Sequence, residues 1–351
     1  MTDEIYDYIF ITNIPSFYKI NLFNLLSVKM KVKVIFISST SLIRNSDFTT
    51  NQMNFDYEVI NEKPFELRSK IKTLWKIKKI ISKSTYRNLV YPGWEIIELM
   101  LLSIISPKNK NGMVIESSII ETRSNGFPWL VKRFFMSRMG KAFPSGDLQK
   151  EILYKASFKG AVYATHGVGV LGSNFFSDNE KNSSRISKAL TYIYVGRLSS
   201  EKNVEELINN FNVLGNTLYV VGDGPMAEHL KNKANQNIKF LGHVNNSDLH
   251  KIYRMADVFI LPSLSEPWGL VVEEALTSGL PLIVSDRVGC KNDLVIALGT
   301  GIVFSVSNGG KTMIDAILEM NSCFNHFQEV VNKIDFSSLE ERKIDAYIDA
   351  L

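Results

Sequence analysis

Apolar residues in this chain come in short unbroken runs bounded by Gly, Pro, Asn or Asp. Between these runs lie longer stretches where apolar residues return every three or four positions. The first pattern predicts buried parallel strands and the second predicts amphipathic helices. Tyr8 to Ile11 reads as a strand, followed by the loop Thr12 to Tyr18, a helix carrying Leu22, Phe23, Leu25 and Leu26, and a strand from Val32 to Ile37. Further strands end at Pro92-Gly93 and at Glu116-Ser117-Ser118. The second half repeats the alternation: strand Ala189 to Val195, helix Val204 to Leu214, strand Thr217 to Val221, a helix from Met226 and strand Ile238 to Leu241. A helix from Ser247 and the strands Val258 to Leu261 and Pro281 to Ser285 complete it. Strands alternating with helices predict two doubly wound α/β domains, over 1–180 and 188–335. Gly172 to Ser187, rich in Ser, Asn and Asp, reads as a linker. In the tail a Ser followed three positions later by Glu predicts a final helix over 336–351.

Composition narrows the class. The 351 residues are 45% apolar and 22% charged, as in a globular protein with room for two cores. The longest membrane-span candidate, Trp94 to Ile105, is too short and carries Glu95 and Glu98. The start, Met1-Thr2-Asp3-Glu4, is acidic and lacks a leader pattern. Cys290, Cys323 and five scattered histidines have no metal-ligand spacing, so a reducing cytoplasmic setting with no metal site is expected. Charge is divided unevenly. Residues 1–175 carry 24 Lys and Arg against 14 Asp and Glu, a net +10, which leaves −6 for the rest of a chain at +4. The two halves are expected to do separate jobs.

The segment Glu266-Pro267-Trp268-Gly269-Leu270-Val271-Val272-Glu273-Glu274 carries the strongest chemical signal. It leaves the carboxyl end of a buried strand, where open α/β sheets bind ligands, and starts a helix whose first N–H groups favour an anion. Carboxylates at Glu266 and Glu274 on either side suit hydroxyl-rich groups, and the combination suggests a nucleotide-sugar. The plainer alternative makes the carboxylates helix-start and helix-surface charges, and Glu273 beside Glu274 keeps it open for one of them. Gly196-Arg197-Leu198 ends the first strand of the second domain, with Lys202 five positions after Arg197. Arg197 and Lys202 would suit a departing diphosphate, on which negative charge builds, although any loop can carry solvated cations. Gly222-Asp223-Gly224-Pro225 permits a tight turn and close backbone approach. Phe240 to Val244 lies where a nucleobase could slot between loops, and His243 reads as a surface residue.

Together these residues resemble the donor domain of retaining glycosyltransferases of family 4, glycosyl transferases group 1, which have the GT-B fold. In that family a Gly-Arg-Leu loop with a following Lys, a Gly-X-Gly-Pro turn and a Glu-X7-Glu motif occur in this order. Ser278 to Asp286 also matches, and the likeness runs from about 189 to 305. The resemblance implies two Rossmann-like domains facing across a cleft, with the last helix crossing back to the first domain. It also implies Arg197 and Lys202 on the diphosphate, Glu266 on the donor-sugar hydroxyls and Glu274 on the ribose. Trp268 and the backbone amides of Gly269, Leu270 and Val271 would hold sugar and phosphate, and Gly196, Gly222, Gly224, Pro225 and Val244 would complete the donor pocket. No metal is needed, and the nucleotide-sugar is a co-substrate rather than a cofactor. The leaving phosphate would assist front-face attack by the acceptor.

The first domain departs from the common pattern. Its first loop, Asn13-Ile14-Pro15-Ser16-Phe17-Tyr18, lacks the usual glycines and resembles a bacterial subgroup with an Asn-X-Pro loop and a Tyr-basic pair, here Tyr18-Lys19. Asn13, Pro15, Tyr18 and Lys19 are thereby implied at the acceptor. Where many members have a His, this chain has Glu116, either a polar or general-base group or an ordinary loop carboxylate; His166 reads as part of a loop before the linker. Segments 65–83 and 129–141 are basic and apolar, which fits an anionic membrane surface; alternatively 65–83 buries Leu67, Ile71, Leu74 and Ile81 beneath solvated lysines. The expected partners are a UDP- or GDP-sugar and a saccharide or lipid-linked acceptor, without nucleic acid. A place in the cytoplasm, peripheral on the inner face of the plasma membrane, fits them. A non-catalytic sugar-nucleotide-binding subunit and a nucleotide-sugar epimerase remain alternatives.

Overall fold

The computed structural model describes residues 5–43, 52–171, 189–307 and 309–351. The stretch expected as a linker, Gly172 to Ser187, lies outside them. The chain divides into two compact units, one made of Met1–Gly172 with Ser337–Leu351 and one of Ser173–Phe336.

The first unit runs β1 (Ile5–Thr12), α1 (Phe17–Lys29), β2 (Val32–Ser38), β3 (Asp56–Asn61), α2 (Lys70–Ser82), β4 (Thr85–Tyr91) and α3 (Ile97–Ile105). It continues with β5 (Asn111–Ile115), α4 (Gly126–Ser137), β6 (Lys141–Pro144), α5 (Asp147–Ala156) and β7 (Ala161–Val162). The strands form one parallel sheet in the order β3-β2-β1-β4-β5-β6-β7. Both faces are covered, which is why the central strands read as unbroken apolar runs. Ile9, Ile11, Ile35, Ile37, Leu89 and Tyr91 share a core with Ile77 of α2, Leu99 and Leu102 of α3 and Phe135 of α4. The alternate positions Tyr8, Phe10, Val34, Phe36 and Val90 pack with Phe23 of α1 and Ile344 and Tyr347.

The second unit runs β8 (Thr191–Val195), α6 (Val204–Leu214), β9 (Thr217–Val221), α7 (Ala227–Lys233), β10 (Ile238–Gly242) and α8 (Asn246–Tyr253). Then come β11 (Val258–Leu261), α9 (Leu270–Thr277), β12 (Leu282–Ser285), β13 (Gly301–Phe304) and α10 (Met313–Asn332). All six strands are parallel, in the order β10-β9-β8-β11-β12-β13. This is the 3-2-1-4-5-6 order of a Rossmann sheet, with its switch point between β8 and β11. The last helix, α11 (Phe336–Ile348), belongs almost wholly to the first unit. There the Tyr8 hydroxyl donates to the Tyr347 carbonyl at 2.7 Å, and the Tyr347 ring stacks on Phe143.

Three local expectations need correction. Segment 65–83 is a 3-10 turn, Phe65–Leu67, followed by α2, which buries Thr73 and Ile77; of the expected set Leu74 and Ile81 pack half-buried against the core, while Leu67 and Ile71 are exposed. Asn61 donates to the Thr73 hydroxyl at 3.0 Å, and this satisfied Thr takes the inner position while Ile71 stays 73% exposed. Segment 129–141 is not one surface element. Trp129 is buried, and Lys141 lies in β6, where it donates to Asn88 Oδ1 at 2.7 Å and to the Ala350 carbonyl, its pKa lowered by burial. Helix α11 begins at Phe336, so the predicted Ser cap lies inside its first turn; the capping box occurs instead on α10, between Thr312 and Asp315.

Candidate active site

In the second unit the loops after β8 and β11 meet at the switch point. The Leu264 N–H donates to the Glu201 carbonyl at 2.8 Å, and Lys202 Nζ pairs with Glu266 Oε2 at 2.5 Å. Two residues expected to share a ligand therefore hold each other, both largely buried. Glu266 is fixed further by strand-like pairing with Val288, and its carbonyl accepts from Gly289 N–H at 2.9 Å. Arg197, on the same loop as Lys202, is exposed, and its carbonyl accepts from the buried Tyr194 hydroxyl at 2.9 Å. Burial first, then the charges of Glu266 and Glu201, holds the Tyr194 pKa well above the usual phenol range.

The glycines have a specific geometric role. A Cβ on Gly222 would fall 1.9 Å from the Gly196 carbonyl oxygen, and one on Gly224 would fall 2.5 Å from that of Leu198. The two turns are interleaved, with Gly196 N–H donating to Val221 O at 3.0 Å and Leu198 N–H to Asp223 O at 2.9 Å. The loop Gly222-Asp223-Gly224-Pro225 thus braces the loop bearing Arg197. It is braced in turn from β10, where Gly222 N–H donates to Gly242 O at 2.8 Å, just before the half-buried Val244.

Gly269 caps α9 in the left-handed region, φ 102°, where an L side chain is strained. This places the first N–H groups of α9, at Leu270 and Val271, beyond the reach of intrahelical acceptors. Gly269→Ala is expected to lower stability by about 1–3 kcal/mol, a loss that a denaturant titration would measure.

Glu273 and Glu274 are both buried, so neither is a surface charge. Trp268 Nε1 donates to Glu273, and the Tyr253 hydroxyl donates to Glu274 Oε2 at 3.0 Å. Burial raises the Glu274 pKa to about 8, with the Tyr253 bond opposing and Glu273 adding to the shift. Tyr253, on α8, had no signal in the sequence; only the fold sets it under α9.

The first unit gathers a second set at the carboxyl ends of its strands. Asn13 and Pro15 form the loop after β1, and Tyr18 and Lys19 open α1. Lys19 Nζ pairs with Glu116 Oε1 at 2.9 Å, just past β5. The buried Thr12 Oγ1, Asn13 Oδ1, Ser38 Oγ and Ser118 Oγ have no hydrogen-bond partner among the described residues. Hydroxyl-rich ligands or water would satisfy such atoms. His166 lies past β7 in left-handed backbone, φ 52°.

Comparison with known proteins agrees with this architecture. Residues 176–323 match the family model described as glycosyl transferases group 1. An uncharacterised glycosyltransferase of Methanocaldococcus jannaschii is 36% identical over 106 residues, 28% of this chain and 27% of that protein. The alpha-monoglucosyldiacylglycerol synthase of Streptococcus pneumoniae is 25% identical over 261 residues, 68% of this chain and 57% of that one. The chain thus spans about a quarter to just over half of these curated relatives. The crystal structure of Anabaena HepE in complex with UDP and glucose superposes with a TM-score of 0.68 at 14% identity, covering 98% of each chain. The second unit matches group 1 glycosyltransferases over most of its length, and the two Rossmann-like units have the GT-B fold.

Proposed function

We propose that this protein is a metal-independent, retaining glycosyltransferase that moves a sugar from a UDP- or GDP-sugar to a saccharide or lipid-linked acceptor, in the synthesis of surface polysaccharide, lipopolysaccharide or glycolipid. The observation that carries this reading is the Lys202–Glu266 contact at the switch point of the second sheet, beside the start of α9. Lys202 with Arg197 would take the diphosphate and stabilise its charge as the glycosidic bond to phosphate breaks. The amides of Gly269, Leu270 and Val271 would add donors from the positive end of the helix. Glu266, released from Lys202 by the incoming phosphate, would accept from the sugar hydroxyls, and Glu274 would face the ribose. Asn13, Pro15, Tyr18 and Lys19 would receive the acceptor, with Glu116 holding Lys19 in place. Support for the donor comes from HepE, whose structure contains UDP and glucose, and for a lipid acceptor from the name of the Streptococcus synthase.

The test combines a panel of UDP-, GDP- and ADP-sugars with EDTA and proton NMR of the product. The expected result is one accepted donor base, transfer undiminished by EDTA and an anomeric configuration kept from the donor. Inversion, or abolition by EDTA, would remove the mechanism. Nucleotide binding without transfer across a broad acceptor panel would favour a non-catalytic subunit, and an altered sugar from donor alone would favour an epimerase.

A further inference from the structure

Two fully buried phenols, Tyr194 and Tyr253, lie against the donor-site segments of the second unit. Tyr194 is the next-to-last residue of β8, and its hydroxyl donates to the Arg197 carbonyl at 2.9 Å. A Cβ on Gly196 would fall 2.7 Å from that hydroxyl oxygen, so the phenol sits directly against the turn that carries Arg197. The Ser199 N–H donates to the same carbonyl at 3.1 Å. The Arg197 side chain is exposed, and its reach is therefore set by this doubly held backbone. Tyr253 is the last residue of α8, with its ring packed edge-on to Phe259 of β11. Its hydroxyl donates to Glu274 Oε2 at 3.0 Å and lies 3.3 Å from the Val271 carbonyl. Among the described residues it is the one hydrogen-bond donor to the Glu274 carboxyl.

Both hydroxyls stay donors at any ordinary pH. Burial, and then the charges of Glu266 and Glu201 at Tyr194 and of Glu274 at Tyr253, holds the two phenols well above their usual range. Tyr192 shows what a buried phenol does elsewhere in this unit. It lies two positions earlier on β8, and its hydroxyl donates to Asn321 Oδ1 of α10 at 2.8 Å, tying strand to helix. Tyr194 and Tyr253 instead bond to the two groups on which the ends of the donor are proposed to rest. We infer that they are positioning residues: Tyr194 acts through the Arg197 loop on the diphosphate, and Tyr253 acts through Glu274 on the ribose. The inference rests on the proposed placing of the diphosphate at Arg197 and Lys202 and of the ribose at Glu274. Loops that must be ordered on binding subtract from affinity, so a group held in advance binds more tightly than the same group on a loose segment. Replacing Tyr by Phe keeps the ring in the core and releases one end of the site at a time.

The experiment titrates the full chain and its Tyr194→Phe, Tyr253→Phe and Tyr192→Phe variants with UDP, UMP and 2′,3′-dideoxy-UDP, and with the matching guanosine series. The wild type is expected to prefer the diphosphate to the monophosphate and the ribose to the dideoxyribose. Tyr194→Phe should shrink the diphosphate preference about three- to tenfold, the effect of one buried hydrogen bond, and leave the ribose preference unchanged. Tyr253→Phe should do the reverse. Tyr192→Phe should lower the melting temperature and move neither preference. Adding Tyr253→Phe to Glu274→Gln should cost no further ribose preference, because the tyrosine acts through that carboxyl. Every comparison is a ratio within one variant, so a loss of folded protein does not imitate it. A uniform fall of all affinities in Tyr194→Phe or Tyr253→Phe, or unchanged ratios, would overturn the inference and leave the donor site standing. A wild type that binds no nucleotide would remove the donor reading and the inference with it.

Discussion

Lys202→Ala is expected to lower kcat/KM for sugar transfer by about 10²–10³-fold, the usual effect of removing one donor from a site of developing negative charge. Glu266→Ala should reduce transfer by a similar factor, but the two variants should part company on nucleotide binding. In the free protein the two side chains neutralise each other at 2.5 Å. Removing Lys202 leaves a largely buried carboxylate facing the diphosphate, so nucleotide affinity falls together with turnover. Removing Glu266 leaves an unpaired ammonium, so nucleoside diphosphate binds as tightly as before or more tightly while transfer is lost. A double-mutant cycle on turnover should be strongly non-additive because the residues are in direct contact. Lys202→Arg separates charge from shape: partial recovery of nucleotide binding without full turnover would show that position as well as charge matters.

Glu274→Gln is expected to stabilise the protein at alkaline pH. The folded-state pKa of Glu274 is raised by burial to about 8, from 4.5. Below the lower value both the folded and the unfolded chain hold the proton, and the group costs nothing. Between the two values the folded chain keeps the proton that the unfolded chain releases, so stability falls as pH rises through this window. Above about 8 both states are ionised and the full penalty, about 5 kcal/mol at most, remains. A glutamine has no such titration, and its carbonyl oxygen can still accept from Tyr253. The variant and the wild type should therefore melt together near pH 4, with the variant increasingly the more stable from pH 5 to 9. Parallel melting curves across that range would show that Glu274 does not carry this burden.

How much of this could be read from sequence depended on how local each feature is. Helix Val204–Leu214 and strand Thr217–Val221 occur with the bounds their periodicity implies, because both bury one continuous face within the segment itself. Strand β3 was missed. It lies at the sheet edge, where Asp56, Tyr57 and Val59 are exposed, so it never forms an apolar run. Among the site residues, Glu266 and Lys202 stood out through their motifs, but their mutual contact spans 64 positions and needs the fold. Gly222 was visible as a turn glycine; its packing against the Gly196 carbonyl was not. The burial of Glu274 depends on Tyr253 from another helix, and the Lys19–Glu116 pair depends on the pairing of β4 with β1 and β5. The exposed side of α3 was hidden for the opposite reason: a strongly apolar segment reads as core until its neighbours are known.

Calorimetric titration with UDP and with GDP tests the donor site most directly. One of them is expected to bind at one site per chain, weakened at least tenfold by Lys202→Ala and not by Glu266→Ala. Binding of neither nucleotide to the wild type, or binding to Lys202→Ala as tight as to the wild type, would contradict it.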